Sequence, residues 1–163
     1  MSENMERSSS AADTTGSKQV QNDQDAFVVE TSPKGRFSRC NRCLAAGSYK
    51  QVYLGFDHDT GMEIAWNVIP YQFMQLSERQ RINVEINIAK SLDHPRVIKF
   101  INAWNDKQLE QVVFITDRVT GGSLRSYVNR LGQGTKFKNI RSWAKQILEG
   151  LEYLHSRSPQ RND

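Results

Sequence analysis

The sequence predicts an α+β domain in which a five-stranded antiparallel sheet and one helix are followed by two further helices. Three observations support this prediction. Segments with strand-like alternation precede residue 70, a helix-start pattern lies at Ser77, and a long amphipathic segment lies near the C-terminus. No internal repeat interrupts this order, so we expect a single folded unit.

The strand-like segments are separated by residues that favour turns. The hairpin-type turn at residues 57–61 ends in a glycine that can adopt a positive φ, and Pro70 ends the strand that follows it. Two more strands come after the first helix. The five predicted strands are residues 37–44, 51–56, 63–69, 97–104 and 112–116.

Each helix has its own sequence signal. Ser77 with Gln80 matches a capping box, which predicts a helix from there to about Leu92. Ser123 is a suitable cap for a short helix ending at Leu131. The third helix is predicted over residues 138–155, where the apolar side chains recur with helical spacing at Trp143, Ile147, Leu151 and Leu154.

Charge is distributed unevenly along the chain. Residues 1–32 hold two basic and six acidic residues, a net of −4, so the remainder accounts for +8 of the total of +4. We predict a disordered acidic tail over residues 1–32 and a folded part over 33–163. Because basic and acidic residues alternate in the folded part, we interpret them as a solvated surface and expect no nucleic-acid partner.

Composition argues against several other classes of protein. No apolar run approaches the length of a membrane span, and residues 1–16 lack the apolar stretch of a secretion signal, so we expect no membrane partner and a cytoplasmic location. Cys40 and Cys43 have C-x-x-C spacing, but zinc needs about four ligands and no second pair exists. We interpret the spacing as chance and predict no metal site.

Strand geometry points to a nucleotide-binding cleft. Residues two apart on a strand share a face, so Lys50 lies with Val52, and Ala65 lies with Asn67. If Val52 and Ala65 face one pocket, Lys50 and Asn67 face it too. A cation and an amide beside the glycine turn at Gly47 suit a polyphosphate, because backbone N–H groups can approach it while a charge neutralises it.

The first helix adds a carboxylate. Glu85 is spaced to share the inward stripe of Ile82, Ile86 and Ala89, where it would need a cation such as Lys50. Each residue also has a plainer interpretation: a solvent-exposed lysine, a surface asparagine, and a glutamate at a stripe edge that reaches water. The nucleotide interpretation depends on the three residues as a set, in this chain order.

That order resembles the N-terminal lobe of a eukaryotic protein kinase. The third-strand lysine of that family is replaced by Asn67, and Lys50 stands where the third glycine of the loop would be. This exchange resembles the with-no-lysine (WNK) kinases. The segments that carry the resemblance are residues 35–37, 45–53, 64–67, 77–81, 92–95, 122–124 and 146–151.

The resemblance implies an N-lobe over residues 33–120, the start of a C-lobe over 121–163, and a serine/threonine kinase that uses Mg²⁺ and ATP. By this match Lys50 and Glu85 are the catalytic residues. Lys50 contacts the phosphates and pairs with Glu85. The remaining implied nucleotide-binding residues are Gly47 and Ser48 over the phosphates, Val52 and Ala65 around the adenine, Asn67, Thr116 as gatekeeper, and Asp117 and Val119 at the adenine edge.

The sequence departs from the kinase pattern in two ways. Ala45 replaces the first loop glycine, and the chain ends at Asp163 before the catalytic base, the Mg²⁺ ligands and the activation loop of the family. We therefore expect a chain inactive alone. The alternative is a pseudokinase-type binding scaffold. The apolar face of the last helix is expected either to bind a partner or to cause aggregation.

Overall fold

A computed structural model describes residues 26–72 and 74–157, and the prediction of disorder for residues 1–25 lies outside this range. The described part is an α+β fold with one antiparallel sheet in the order β1-β2-β3-β4-β6-β5. Its strands are β1 (Val28–Thr31), β2 (Phe37–Ala46), β3 (Gln51–Asp57), β4 (Met62–Pro70), β5 (Phe100–Asp106) and β6 (Gln111–Asp117). Its helices are α1 (Leu76–Lys90), α2 (Leu124–Leu131) and α3 (Phe137–Arg157), with a short 3-10 helix at Gly132–Gly134.

The sheet has six strands, one more than the sequence predicted. The additional strand, β1, lies inside the predicted tail and pairs antiparallel with β2, Glu30 lying opposite Arg39. The same two side chains form an ion pair 2.8 Å long. The folded part therefore begins before residue 33, because a pairing with β2 that the local composition does not reveal holds this segment.

Both faces of the sheet are covered by apolar side chains. One face carries a core around Trp66, which is fully buried and meets Trp104 edge to face at a ring-centroid distance of 5.0 Å. Helix α1 packs on the opposite face, beside β5. The first core is formed by Phe37, Ile64, Trp66, Val68, Val113 and Ile115, and the second centres on Tyr71, Ile86 and Val112.

Helix α1 begins one residue before the predicted cap at Ser77. Gln75 is the N-cap, and the carboxylate of Glu78 accepts a hydrogen bond from the Gln75 backbone N–H at 2.9 Å. The guanidinium of Arg79 donates to the carbonyls of Tyr71 and Met74 at 3.1 and 3.3 Å. The predicted N-cap, Ser77, therefore lies two residues too late in the sequence. The capping box is formed by Gln75 and Glu78, because the Glu78 carboxylate binds the N–H group three residues before it.

Helix α2 begins as predicted. The Ser123 hydroxyl accepts a hydrogen bond from the Ser126 N–H at 3.1 Å. None of the helices in the described part of the chain is long and apolar enough to cross a membrane.

Helix α3 is attached to the loop that follows α1. The Tyr153 hydroxyl accepts a hydrogen bond from the Asp93 N–H at 2.9 Å, and its ring stacks on His94. Arg96 pairs with Glu149 at 3.2 Å. Gly150 is buried against this loop, so the lack of a side chain there allows the helix to approach it closely.

The β3–β4 turn is held by a nearly buried carboxylate. Asp57 is 3% exposed and accepts two hydrogen bonds from the Arg36 guanidinium, at 2.9 and 2.7 Å. These bonds lower the pKa of Asp57 from its ordinary 3.8 to about 2.

We expect Asp57→Asn to lower the free energy of unfolding by about 1–3 kcal/mol at neutral pH, because a charged hydrogen-bond pair is lost. Since the folded-state pKa of Asp57 is depressed, this contribution is complete above about pH 4 and disappears as the pH falls to about 2. Urea titrations across that range measure it. Asp59→Asn is the control. The Asp59 carboxylate also pairs with Arg36, but it is 63% exposed and should contribute less than about 0.5 kcal/mol to the free energy of unfolding. Equal losses in both variants would contradict the assignment.

The second prediction concerns Gly150. A Cβ at this position would lie 3.2 Å from the Arg96 carbonyl oxygen, a contact tighter than most. Gly150→Ala should therefore not produce the gain of about 1 kcal/mol that this exchange gives inside an open helix. Gly150→Leu should cost about 1–3 kcal/mol and should accelerate hydrogen exchange of the Asp93 amide.

Glu152→Leu on the exposed side of α3 is the control for Gly150→Leu, and we expect its change in stability to stay within about 0.5 kcal/mol. A Gly150→Leu variant as stable as the unsubstituted chain, with unchanged exchange at Asp93, would show that α3 does not need this approach.

Candidate functional site

The register of three neighbouring strands assembles the cleft face of the sheet. Val52 of β3 lies opposite Asn67 of β4, and Leu54 lies opposite Ala65. On the other side of β4, Asn67 lies opposite Phe114 and Ala65 opposite Thr116. Because directly opposed residues share a face, the structure brings together the strand residues that the sequence predicted to share one pocket.

A tight turn joins β2 to β3 at the edge of this face. The Gly47 N–H donates to the Lys50 carbonyl at 2.8 Å, which closes the turn around Ser48 and Tyr49. Both of these residues are exposed, and 76% of the Tyr49 side chain is accessible. The predicted phosphate-covering residues, Gly47 and Ser48, therefore lie in one exposed turn immediately before Lys50.

Lys50 contacts an aromatic ring on the sheet. Its ammonium nitrogen lies 5.5 Å from the ring centroid of Phe114, within the range of a cation–π interaction. The Phe114 ring in turn stacks on Phe100, with 5.7 Å between their centroids. Phe114 is a site residue that the sequence analysis missed, although the alternation of β6 places it on the face of Thr116.

A cavity of about 770 Å³ separates the turn from α1. Glu85 lies on its wall and is exposed, whereas Ile86 is buried and Ile82 half-buried. The prediction of an inward-facing Glu85 is therefore corrected: the carboxylate sits at the edge of the apolar stripe, where it keeps its contact with water. The cavity is lined by Ser48, Tyr49, Ile69, Pro70, Met74, Glu78, Arg81, Ile82 and Glu85.

Within the described residues, no ion pair joins Lys50 to Glu85, and this pairing stays a prediction. Lys50 is exposed and lies over Phe114, while Glu85 faces the cavity. The two side chains are thus on the same side of the sheet without contact between their charged groups.

Asn67 is buried, which excludes the interpretation of a surface asparagine. It is 3% exposed, and its amide nitrogen lies 3.1 Å from the Ala65 carbonyl, 3.3 Å from the Phe114 carbonyl and 3.3 Å from the Thr116 hydroxyl. The amide therefore bonds to β4 and β6 at the floor of the cleft.

The segment after β6 carries the predicted adenine-edge residues. Thr116 is 7% exposed, whereas Asp117 and Val119 are exposed. The Asp117 N–H donates to the Lys99 carbonyl at 3.0 Å. Arg118 forms an ion pair with Glu63 at the start of β4, which fixes this segment against the sheet and was not foreseen from the sequence.

The C-x-x-C pair lies on β2, with Cys40 buried and Cys43 exposed, and both thiols are free. Burial raises the pKa of the Cys40 thiol. Across residues 26–72 and 74–157, no group of three or more histidine, cysteine, aspartate or glutamate side chains could hold a metal ion.

Comparisons with known proteins agree on one family. Residues 39–159 match the family model described as protein kinase domain. The chain is 35% identical over 144 residues to serine/threonine-protein kinase WNK3 of Mus musculus, which covers 87% of this chain and 8% of that protein. It is 37% identical over 139 residues to serine/threonine-protein kinase WNK4 of Homo sapiens, and the match covers 84% of this chain and 11% of that protein.

A plant relative is similar to the same extent. The probable serine/threonine-protein kinase WNK6 of Oryza sativa subsp. japonica is 40% identical over 140 residues, which cover 84% of this chain and 32% of that protein. The chain thus spans a third or less of the length of these curated relatives.

A solved structure supports the fold. The structure of Rad53 residues 1–466 in complex with AMP-PNP superimposes with a TM-score of 0.67 and 23% identity, over 80% of this chain and 33% of that one. The predicted α+β class, with its antiparallel sheet and single packed helix, is thereby confirmed.

Proposed function

The chain belongs to the protein kinase family and, within it, to the with-no-lysine kinases, and from this premise we propose that it is the ATP-binding part of a serine/threonine kinase. The proposed reaction moves the γ-phosphoryl group of ATP to protein hydroxyl groups in the cytoplasm. Protein substrates are the partners that follow from this activity. The support comes from the similarity to named WNK kinases and from the geometry of the cleft.

One observation carries the proposal: the cation of the cleft face, Lys50, immediately precedes β3, and the neighbouring strand β4 carries a neutral amide, Asn67. Lys50 is exposed beside the turn at Gly47, and Asn67 is buried among hydrogen-bond acceptors. A solvent-accessible ammonium group can neutralise phosphate charge, whereas an amide already bonded to the sheet cannot. We therefore assign the phosphate contact to Lys50, with the N–H groups of Gly47 and Ser48 nearby.

The remaining assignments follow the strand faces. Val52 and Ala65 lie on the cleft face and are proposed to enclose the adenine, with Thr116 behind it. Asp117 and Val119 are exposed on the segment after β6 and are proposed to offer a carbonyl and an N–H group to the base.

Glu85 is proposed to act on Lys50 rather than on the nucleotide. Its exposed carboxylate lines the cavity that separates α1 from the turn, so a displacement of α1 toward β3 would let it pair with Lys50. Such a pair would hold the ammonium group toward the phosphates. Mg²⁺ enters the proposal only with the nucleotide's phosphates, and we assign no residue of the described chain to it.

The test is nucleotide affinity. We expect Lys50→Met to weaken ATP binding by about tenfold or more, since a charge-assisted contact to phosphate is worth about 1.5–3 kcal/mol. Adenosine lacks the phosphates, so its affinity should stay nearly unchanged. Isothermal titration calorimetry of both ligands measures the difference, with the exposed Lys34→Met as the control.

Asn67→Ala should cost less ATP affinity than Lys50→Met. If instead Asn67→Ala abolished ATP binding while Lys50→Met left it intact, the phosphate contact would have been assigned to the wrong residue. If the unsubstituted chain failed to bind ATP, the nucleotide-binding function itself would be wrong for this chain.

A binding scaffold without phosphoryl transfer is the second candidate, and the apolar face of α3 favours it. Of its side chains, Leu148 is 64% exposed and Ile147 51% exposed, although α3 is attached to the sheet domain at its other face. An exposed patch of this kind is typical of partner sites and of surfaces that self-associate. The exposed residues of this face are Ile140, Ile147, Leu148, Leu151 and Leu154, whereas Trp143 is half-buried and packs edge to face against Tyr127.

We expect Leu148→Gln with Leu151→Gln to reduce self-association of the chain, measured by sedimentation velocity over a concentration series. Lys145→Gln with Glu152→Gln, on exposed polar positions of the same helix, is the control. Unchanged sedimentation of the leucine variant would show that this face does not mediate association.

A further inference from the structure

The amide of Asn67 has a fixed orientation, because two of its three neighbours can only accept hydrogen bonds. Its nitrogen faces the carbonyls of Ala65 and Phe114, at 3.1 and 3.3 Å, and an amide oxygen in that position would be repelled by both. The third neighbour, the Thr116 hydroxyl at 3.3 Å, accepts from the same nitrogen, whose two hydrogens are shared among the three acceptors.

These contacts join two elements of the proposed nucleotide site. Thr116 lies behind the proposed adenine position, and Phe114 carries the ring over which the Lys50 ammonium lies at 5.5 Å. Asn67 itself is 3% exposed, and its donor nitrogen is turned toward protein acceptors. A direct contact with a nucleotide would require it to abandon those acceptors in a buried environment, which is costly.

We propose that Asn67 is a positioning residue: by holding the Phe114 backbone and the Thr116 hydroxyl, it keeps the Phe114 ring where it supports the ammonium of Lys50. This inference rests on the proposed function, since it concerns the same cleft. It replaces the direct nucleotide contact that the sequence resemblance implied for Asn67.

The charge of the residue is part of this role. A lysine at position 67 would bring a second cation to the face that already holds Lys50, and like charges in a partly buried cleft repel. An apolar residue would avoid that repulsion but would leave the Thr116 hydroxyl without this donor. An uncharged donor meets both requirements.

A measurement without nucleotide tests the contact chain directly. Protons above an aromatic ring resonate upfield, so the ε-methylene protons of Lys50 should be shifted upfield in the unsubstituted chain and lose the shift in Phe114→Leu. We expect Asn67→Leu to reduce the same shift in a folded protein. Asn105→Leu is the matched control, because its side chain accepts a hydrogen bond from Tyr71 outside the cleft.

The second readout is the ratio of two affinities. Asn67→Leu should weaken ATP binding by about three- to fivefold, the effect of losing a typical hydrogen bond, and adenosine binding by less. A merely structural role would reduce the folded fraction and weaken both ligands equally. Failure of the unsubstituted chain to bind ATP would overturn the proposed function, while the Lys50 shift would still decide the role of Asn67.

Thr116→Val provides a test that does not depend on the folding of Asn67→Leu. It removes the hydroxyl and keeps the shape of the side chain, so the side-chain amide resonances of Asn67 should move and their hydrogen exchange should accelerate. Thr116→Ser, which keeps the hydroxyl, should leave them in place. Unchanged Asn67 resonances in Thr116→Val, or an unchanged Lys50 shift in folded Asn67→Leu, would overturn the inference.

Discussion

The register between β3, β4 and β6 is the constraint on which the rest of the site depends. With Val52 opposite Asn67 and Asn67 opposite Phe114, alternation places one set of side chains over the cleft and the other set in the Trp66 core. A slip of one residue in β4 would exchange Trp66 with Asn67, which would move the indole to the cleft face and place the amide in the apolar core. The apolar core therefore fixes the register that also assembles the cleft.

This constraint explains how the cation of the cleft can lie outside β4, at the position of Lys50. Lys50 lies in the turn immediately before β3, where its side chain stays in water and needs no buried partner. The centre of β4 is too deeply buried for an unpaired charge, and it holds an amide with three acceptors instead. The charged group thus lies at the exposed edge of the sheet, where water solvates it, and the buried centre of β4 holds a neutral group whose hydrogen bonds are made within the protein.

Much of the fold could be predicted from the sequence, because strand alternation and helical spacing are local patterns. They gave the shared face of Lys50 with Val52 and the apolar face of α3. The predictions that failed needed long-range information: β1 depends on its pairing with β2, and the orientation of Glu85 depends on how α1 is rotated against the sheet. Two of the three acceptors of Asn67 lie 47 and 49 residues away along the chain, so no local pattern could reveal them.

The attachment of α3 to the loop after α1 has a mechanical consequence for Glu85. Tyr153 and Glu149 hold that loop, so a movement of α1 that kept these contacts would be a rotation about the C-terminal end of the helix. With a rise of about 1.5 Å per residue, Glu85 lies about 9 Å from Ser91 and Glu78 about 20 Å. Any rotation that carries Glu85 toward Lys50 therefore moves the first turn of α1 about twice as far. In such a rotation the Tyr71 and Met74 carbonyls would have to move with Arg79, or the hydrogen bonds that Arg79 donates to them would break.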